Sequence, residues 1–319
     1  MNKIEKALCE LGSTRIPSKL RIKETDRYIL ITLDGEKIQE KNMQVAGNDF
    51  EGWTMAVHIC AERLGINKRV HMDLDEKKRF QYQSYLGKGH LGRFLYRAMK
   101  FSQQYGDWFE LSDYLKSEVN GFETYIRKGL FVNNIGEGAA GSKNKLDDES
   151  AVEEKMAEPG VLRSVVKSID IGNNPVYRQL PVGLFAGDVA KKNMVFTGGK
   201  SAIDLWTKNG EEINIVELKT KNVMMGIVSE IFFYANYIYD LVSNTGLFEM
   251  TEPPKNKNEL RGYDEVFYNR PQKVNGIMLA DNMRFHPWVT DGIIDVLNDN
   301  KIKELTYYIE SYQYDVVIR

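Results

Sequence analysis

Two acidic residues and a lysine, Asp204, Glu217 and Lys219, flank a short polar break in the run SAIDLWTKNGEEINIVELKTK, residues 201–221. Asn209-Gly210 is among the strongest short-range signals for a two-residue hairpin turn, so the flanking runs read as paired strands. With Asn209 and Gly210 as the turn, Lys208 pairs with Glu211, Trp206 with Ile213, Asp204 with Ile215 and Ala202 with Glu217. Side chains alternate along a strand, which puts Asp204, Glu217 and Lys219 on one face and makes the two carboxylates diagonal neighbours about 7 Å apart at Cα. Two converging carboxylates suit a hard divalent cation such as Mg²⁺, which prefers oxygen ligands, keeps several waters and sits at phosphates. The lysine suits the same chemistry: it can orient or help deprotonate an attacking water, or offset charge developing on a phosphate oxygen. An acidic residue two before a lysine is also common on exposed strands. Here INIVELK is apolar on both faces until Glu217, the pattern of a central strand whose charged end emerges at a site.

The elements that must carry these residues lie in the second half of the chain. Residues 132–148, VNNIGEGAAGSKNKLDD, are rich in Gly, Asn, Ser and charge and are read as a linker. Beyond it, helical and strand-like runs alternate. A helix is expected near 149–157, strands near 175–187, 193–207 and 212–220, a helix over 223–243, a strand over 274–280, a helix over 287–298 and a strand over 304–318, an α/β layout. Before the linker, residues 27–40 (RYILITLDGEKIQE) read as a hairpin turning at Asp34-Gly35, and helical spacing marks 49–64, 76–86, 91–104 and 111–127. The organisation expected is a mainly helical N-terminal module with a small hairpin sheet (1–131), the linker (132–148) and an α/β domain (149–319).

The Asp204, hairpin, Glu217-Leu218-Lys219 sequence resembles the PD-(D/E)XK nuclease superfamily, whose restriction-endonuclease-like fold is a mixed sheet flanked by helices. Upstream, Glu149-Ser-Ala-Val-Glu153-Glu-Lys-Met156 is similar to the acidic helix before the core sheet in many members. Downstream, Glu230 and Tyr234 fall one turn apart, near where some exonuclease-like members carry a polar and an aromatic residue. Ile203 stands where the motif's proline often does. The resemblance covers roughly residues 149–243. It implies hydrolysis of DNA phosphodiesters, most often double-stranded, with Mg²⁺ or Mn²⁺ held by Asp204 and Glu217. Lys219 would act on the water or the phosphate, and Glu153, with Glu149 as its substitute, would be the additional acidic residue. Restriction, defence against foreign DNA or repair is the setting implied, and a homodimer would give each strand its own site. A non-catalytic nucleic-acid-binding or assembly protein on the same fold, or a nuclease acting on RNA or single strands, are the alternatives.

The formal charge of −2 over 319 residues requires any nucleic-acid contact to come from a local basic surface. Residues 68–100 supply one candidate: Lys77, Lys78, Arg79, Lys88, Arg93, Arg97 and Lys100 stand in a net positive segment interleaved with aromatics. Gly87-Lys-Gly89-His-Leu-Gly92 fits a dinucleotide fingerprint, but the run before it, KKRFQYQSYL, is no apolar strand. Gly199-Lys200-Ser201 lacks the glycine a phosphate loop needs, because Met194 stands in its place. Two cysteines and four scattered histidines argue against a disulfide framework and structural zinc. The apolar stretch 224–242 is interrupted by Ser229, Glu230, Asn236 and Asp240 and reads as a buried helix, and the N-terminus has no signal-peptide core; a cytoplasmic protein is expected.

Overall fold

Alternating burial builds the first sheet. Along Tyr28–Leu33 and Arg69–Leu74 every second residue is buried, so each strand turns one face to the core. In this computed structural model, whose described residues are all but 12–14, 46, 130, 134–147, 197–200, 221–223, 244, 246, 249, 254–261 and 319, these strands belong to a four-stranded sheet. In chain order its region comprises α1 (Lys3–Glu10), β1 (Arg21–Glu24), β2 (Tyr28–Leu33), α2 (Gly35–Glu40), α3 (Phe50–Arg63), β3 (Arg69–Leu74), α4 (Gly89–Gln104), β4 (Phe109–Leu111) and α5 (Asp113–Lys128). β1 is antiparallel to β2, while β2, β3 and β4 run parallel, joined by helical crossovers.

This part of the chain is richer in strand than a hairpin and helices. The hairpin is β1–β2, and Asp34-Gly35 is not its turn: the Asp34 carboxylate caps α2 by accepting from the Lys37 N–H. Aspartate serves as well before a helix as in a turn, and GEKIQE has one β-branched residue. The helix expected over 76–86 is reduced to one 3₁₀ turn, Glu76–Lys78.

A short strand β5 (Phe131–Asn133) follows, so the segment read as a linker begins in a strand; residues 134–147 lie outside the described residues. Then come α6 (Asp148–Met156), α7 (Val161–Val165), β6 (Tyr177–Pro181), β7 (Leu184–Ala186), β8 (Ala202–Asn209), β9 (Glu212–Lys219), α8 (Gly226–Val242), α9 (Tyr263–Tyr268), β10 (Lys273–Asp281), α10 (Ile294–Asn298), β11 (Leu305–Tyr312) and α11 (Tyr314–Ile318). β5 pairs antiparallel with β7, and the main sheet has the order β11-β10-β9-β8-β6. β8 is antiparallel to both its neighbours, β6 and β9, and β9, β10 and β11 are parallel. The protein is thus mixed α/β throughout. β8 is shorter than its expected run, and the last expected strand ends at Tyr312 before turning into α11.

The two faces of the main sheet are covered differently. Val152, Met156 and Leu162, from α6 and α7, pack on Leu205, Val216, Leu218, Ile277 and Leu279. The other face, with Ile213, Ile215 and Met278, takes α8 and joins a core that runs without a break to Ile4 and Leu8. Helix α8 is buried on nearly every face because it is covered on both sides, by β9 and β10 beneath and by α3 and α4 above. Among the described residues no helix is long and apolar enough to cross a membrane.

Polar side chains cross the α3–α4–α8 contact in matched sets, as buried charges must. Arg97 donates to Glu51 at 2.8 Å, and Ser229 reaches the same carboxylate at 2.6 Å. Lys100 and Tyr96 both donate to Asp240, at 2.5 and 2.6 Å. The basic segment read as a surface is therefore only partly one. Arg93, Arg97 and Lys100 are at most 5% exposed, because α4 turns that stripe inward; Lys77, Arg79 and Lys88 are exposed, and Lys78 pairs with Asp34.

Candidate active site

The turn between β8 and β9 is made by Gly210 and Glu211, with Asn209 opposite Glu212. Gly210 takes a φ of 59°, which costs a glycine little. The register is therefore shifted from the one expected: Lys208 faces Ile213 and Trp206 faces Ile215. A shift that preserves the alternation keeps Asp204, Glu217 and Lys219 on one face. Both neighbouring ladders skip Asp204. The β6–β8 pairing runs from Arg178 with Leu205 to Leu180 with Ile203, and the β8–β9 pairing ends at Leu205 with Val216. In the gap, the Asp204 carboxylate accepts the Leu218 N–H at 2.9 Å, and Gln179 adopts a φ of 53°. A left-handed glutamine is an uncommon, strained conformation, and here its side chain donates to Glu153 at 2.8 Å.

Around this opening lies a cleft of about 250 Å³ with an almost wholly polar lining. Lys219 stands among its carboxylates: the ammonium donates to Glu217 Oε1 at 2.6 Å and lies 3.2 Å from Glu230 and 3.5 Å from Glu149. α6 supplies Glu149 and Glu153, α8 supplies Glu230 and Tyr234, and the loop after α2 supplies Gln44, whose amide donates to Glu230. That loop can reach because residue 226 is glycine; a Cβ there would stand 2.8 Å from the Gln44 Cα. Glu153 faces Gln179 and, at 3.5 Å, Arg178. The structure thus brings Asp204, Glu217, Lys219, Glu153 and Glu149 to one cleft. Of the basic segment it adds Arg93 alone, with Arg97 and Lys100 buried elsewhere and Lys77, Lys78, Arg79 and Lys88 absent from the lining.

The electrostatics follow from crowding like charges out of water. Burial, with Glu153 and Glu230 nearby, pushes the Asp204 carboxyl up to about 8 against the partial relief of Lys219. Burial and the Asp204 and Glu230 charges hold Glu217 well above the usual carboxylate range, and burial raises Glu153. Burial alone would lower Lys219, but Glu217, Glu230, Asp204 and Glu149 outweigh it and keep the ammonium protonated far above neutrality. Glu217 is 2% exposed, and among the described residues its Oε2 has no hydrogen-bond donor. An unsatisfied buried carboxylate oxygen beside a second carboxylate is a donor set that suits a hard cation. Among the described residues no group of three or more His, Cys, Asp or Glu converges in a metal-holding arrangement. Sequence reasoning missed Gln44 and Gln179, which no motif marks, and met Glu230 and Tyr234 only as a loose likeness.

No known family model, curated protein or solved structure matches this chain.

Proposed function

We propose that this chain is a metal-dependent nuclease that hydrolyses DNA phosphodiesters, on a restriction-endonuclease-like arrangement in its second half. The observation that carries the reading is the meeting of Asp204, Glu217 and Lys219 at the open end of the β8–β9 hairpin, at a polar cleft where the Glu217 Oε2 finds no donor among the described residues. Supporting it, the acidic helix α6 faces the same cleft from upstream of the hairpin, and α8, which follows the hairpin and packs on β9, brings Glu230 and Tyr234 there, the parts that the sequence resemblance quotes.

Asp204 and Glu217 would hold Mg²⁺ or Mn²⁺. Such an ion, when bound, offsets phosphate charge and makes water a better nucleophile at neutral pH. Lys219 remains an ammonium, so between its two possible roles it acts as a cation that offsets charge on the phosphate and orients water, not as the base. Glu230, which accepts from the Gln44 amide, also holds Lys219, at 3.2 Å. In the reaction a water oxygen bonds to phosphorus as the bond to the leaving sugar oxygen breaks, and the water's proton leaves to a base. Duplex DNA is the substrate chosen by the resemblance, and pairing of two copies would place one site on each strand.

The test is cleavage of supercoiled plasmid and linear duplex by the purified protein with Mg²⁺ or Mn²⁺, beside folded Glu217→Ala and Lys219→Ala variants. Cleavage by the wild type alone supports the reading, at a loss of about 10²-fold or more in each variant. Equal activity in the variants would reject the site. A second reading, a non-catalytic nucleic-acid-binding protein, is favoured by one observation: Lys219 already spans three carboxylates. It predicts no cleavage of DNA or RNA and no Mn²⁺-induced rise in Tm that Asp204→Ala removes.

A further inference from the structure

α4 carries three buried cations, and one of them is paired unlike the others. Arg97 meets the Glu51 carboxylate at 2.8 Å and Lys100 meets Asp240 at 2.5 Å. Arg93, 3% exposed, donates to Asn42 Oδ1 at 2.7 Å and Ser201 Oγ at 3.0 Å, lies 3.2 Å from His90 Nδ1 and stands 5.8 Å over the Phe233 ring. All four are uncharged at neutral pH, since burial and the Arg93 charge hold His90 below the ordinary histidine range. Among the described residues no carboxylate lies within 4.0 Å of this guanidinium. Burial pushes it down only to about 10, so it is a cation at pH 7. Glu230 and Glu51 favour its charge only from beyond ion-pair contact, and a buried charge with no contacting counter-charge is costly, a loss that neutral acceptors do not offset. The guanidinium lines the same cleft as Asp204, Glu217 and Lys219, so the missing counter-charge has open space to occupy.

We infer that Arg93, aimed by Asn42 and Ser201, is an anion-binding residue of this cleft and takes a phosphate group. In the nuclease reading, on which this assignment rests, that phosphate neighbours the one being hydrolysed on the same strand. The chemistry matches on both sides. The planar fork of arginine fits phosphate oxygens in pairs, and a strand of successive phosphates needs a cation beside a site whose own charges are mostly negative. The arrangement also gives the N-terminal part of the chain a direct hold on the substrate: Asn42 and Arg93 come from before residue 131, Ser201 from after it.

The experiment uses the full chain as wild type, Arg93→Gln and Arg93→Lys. Binding of a fluorescein-labelled mixed-sequence duplex is measured by anisotropy in Ca²⁺, and Tm is measured with Mn²⁺ and, separately, with inorganic phosphate. Arg93→Gln should weaken duplex binding about 30-fold or more, while Mn²⁺ raises its Tm as in the wild type. Arg93→Lys, a point charge without the fork, should fall between; if the glutamine variant does not fold, it carries the comparison. A phosphate-induced rise in Tm lost in Arg93→Gln, with duplex binding unchanged, would keep the anion site and overturn its assignment to a strand. Wild-type duplex affinity and phosphate response in a folded, Mn²⁺-responsive Arg93→Gln would overturn the inference and leave the nuclease reading standing. A wild type that neither cleaves nor responds to Mn²⁺ would remove that reading, and the phosphate response alone would then decide the anion site.

Discussion

Replacing Asp204 with asparagine should make the metal-free protein more stable, and more so as the pH rises. The carboxyl is pushed up to about 8 from an ordinary 3.8, so the folded state holds a proton that the unfolded chain releases. Between those two values the folded state binds more protons than the unfolded one, and stability therefore falls as pH rises from about 4 to about 8. Four pH units at about 1.4 kcal/mol each is about 6 kcal/mol. Asp204 keeps some contact with the cleft, where solvent screens it, and about half, ~3 kcal/mol, is the figure to expect near pH 8. Asparagine is nearly the same size, carries no charge and can still accept the Leu218 N–H. At about 2 °C per kcal/mol for a chain of this length, Asp204→Asn should raise Tm by ~6 °C near pH 8 and by only ~2 °C near pH 5.5. Differential scanning fluorimetry in chelator at the two pH values reads both shifts. An asparagine variant that is neutral or destabilised near pH 8, or whose gain does not grow with pH, would refute the view that this cluster is held against electrostatic repulsion.

The same protonation makes metal affinity pH-dependent. The Mn²⁺-induced rise in Tm should grow about tenfold in apparent affinity per pH unit between about 6 and 8, since ligands must lose protons to bind; a flat titration over that range would count against Asp204 and Glu217 as ligands. Lys100→Met leaves the Asp240 carboxylate buried beside Tyr96 and should cost about 3–5 kcal/mol in urea denaturation, whereas Lys100→Met with Asp240→Leu should recover much of it. Gly226→Ala forces a Cβ to within 2.8 Å of the Gln44 Cα, and should cost about 1–3 kcal/mol and lower cleavage although no carboxylate is altered. Unchanged activity there would show that Gln44 does not help position Glu230.

The main sheet was legible because its signals are local. The INIVELK run, the polar turn and the apolar helix after it are each decided within ten or twenty residues, and alternation carries Asp204 and Glu217 to one face whichever two residues make the turn. The turn itself was misplaced because Asn209-Gly210 and Gly210-Glu211 both place a glycine where positive φ is needed, and only the strand contacts choose between them. β3 and β4 escaped notice for a related reason: RVHMDL and FEL are short, and their buried faces are set by neighbours far along the chain. Arg97 and Lys100 read as surface because a charged helical stripe usually is one. Their partners, Glu51 and Asp240, come from separate helices, and no spacing within α4 announces them.

The helix shared by two layers also sets an order of events during synthesis. Lys100 leaves the ribosome 140 residues before its partner Asp240, and Glu51 precedes Ser229 by 178. At about 5–20 residues per second, the first sheet and its helices wait roughly 10–30 s with an apolar wall uncovered and a lysine unpaired. Until α8 arrives this half of the chain is a nascent segment without its lid, and its safe passage through that interval falls to whatever holds unfinished chains apart in the cell.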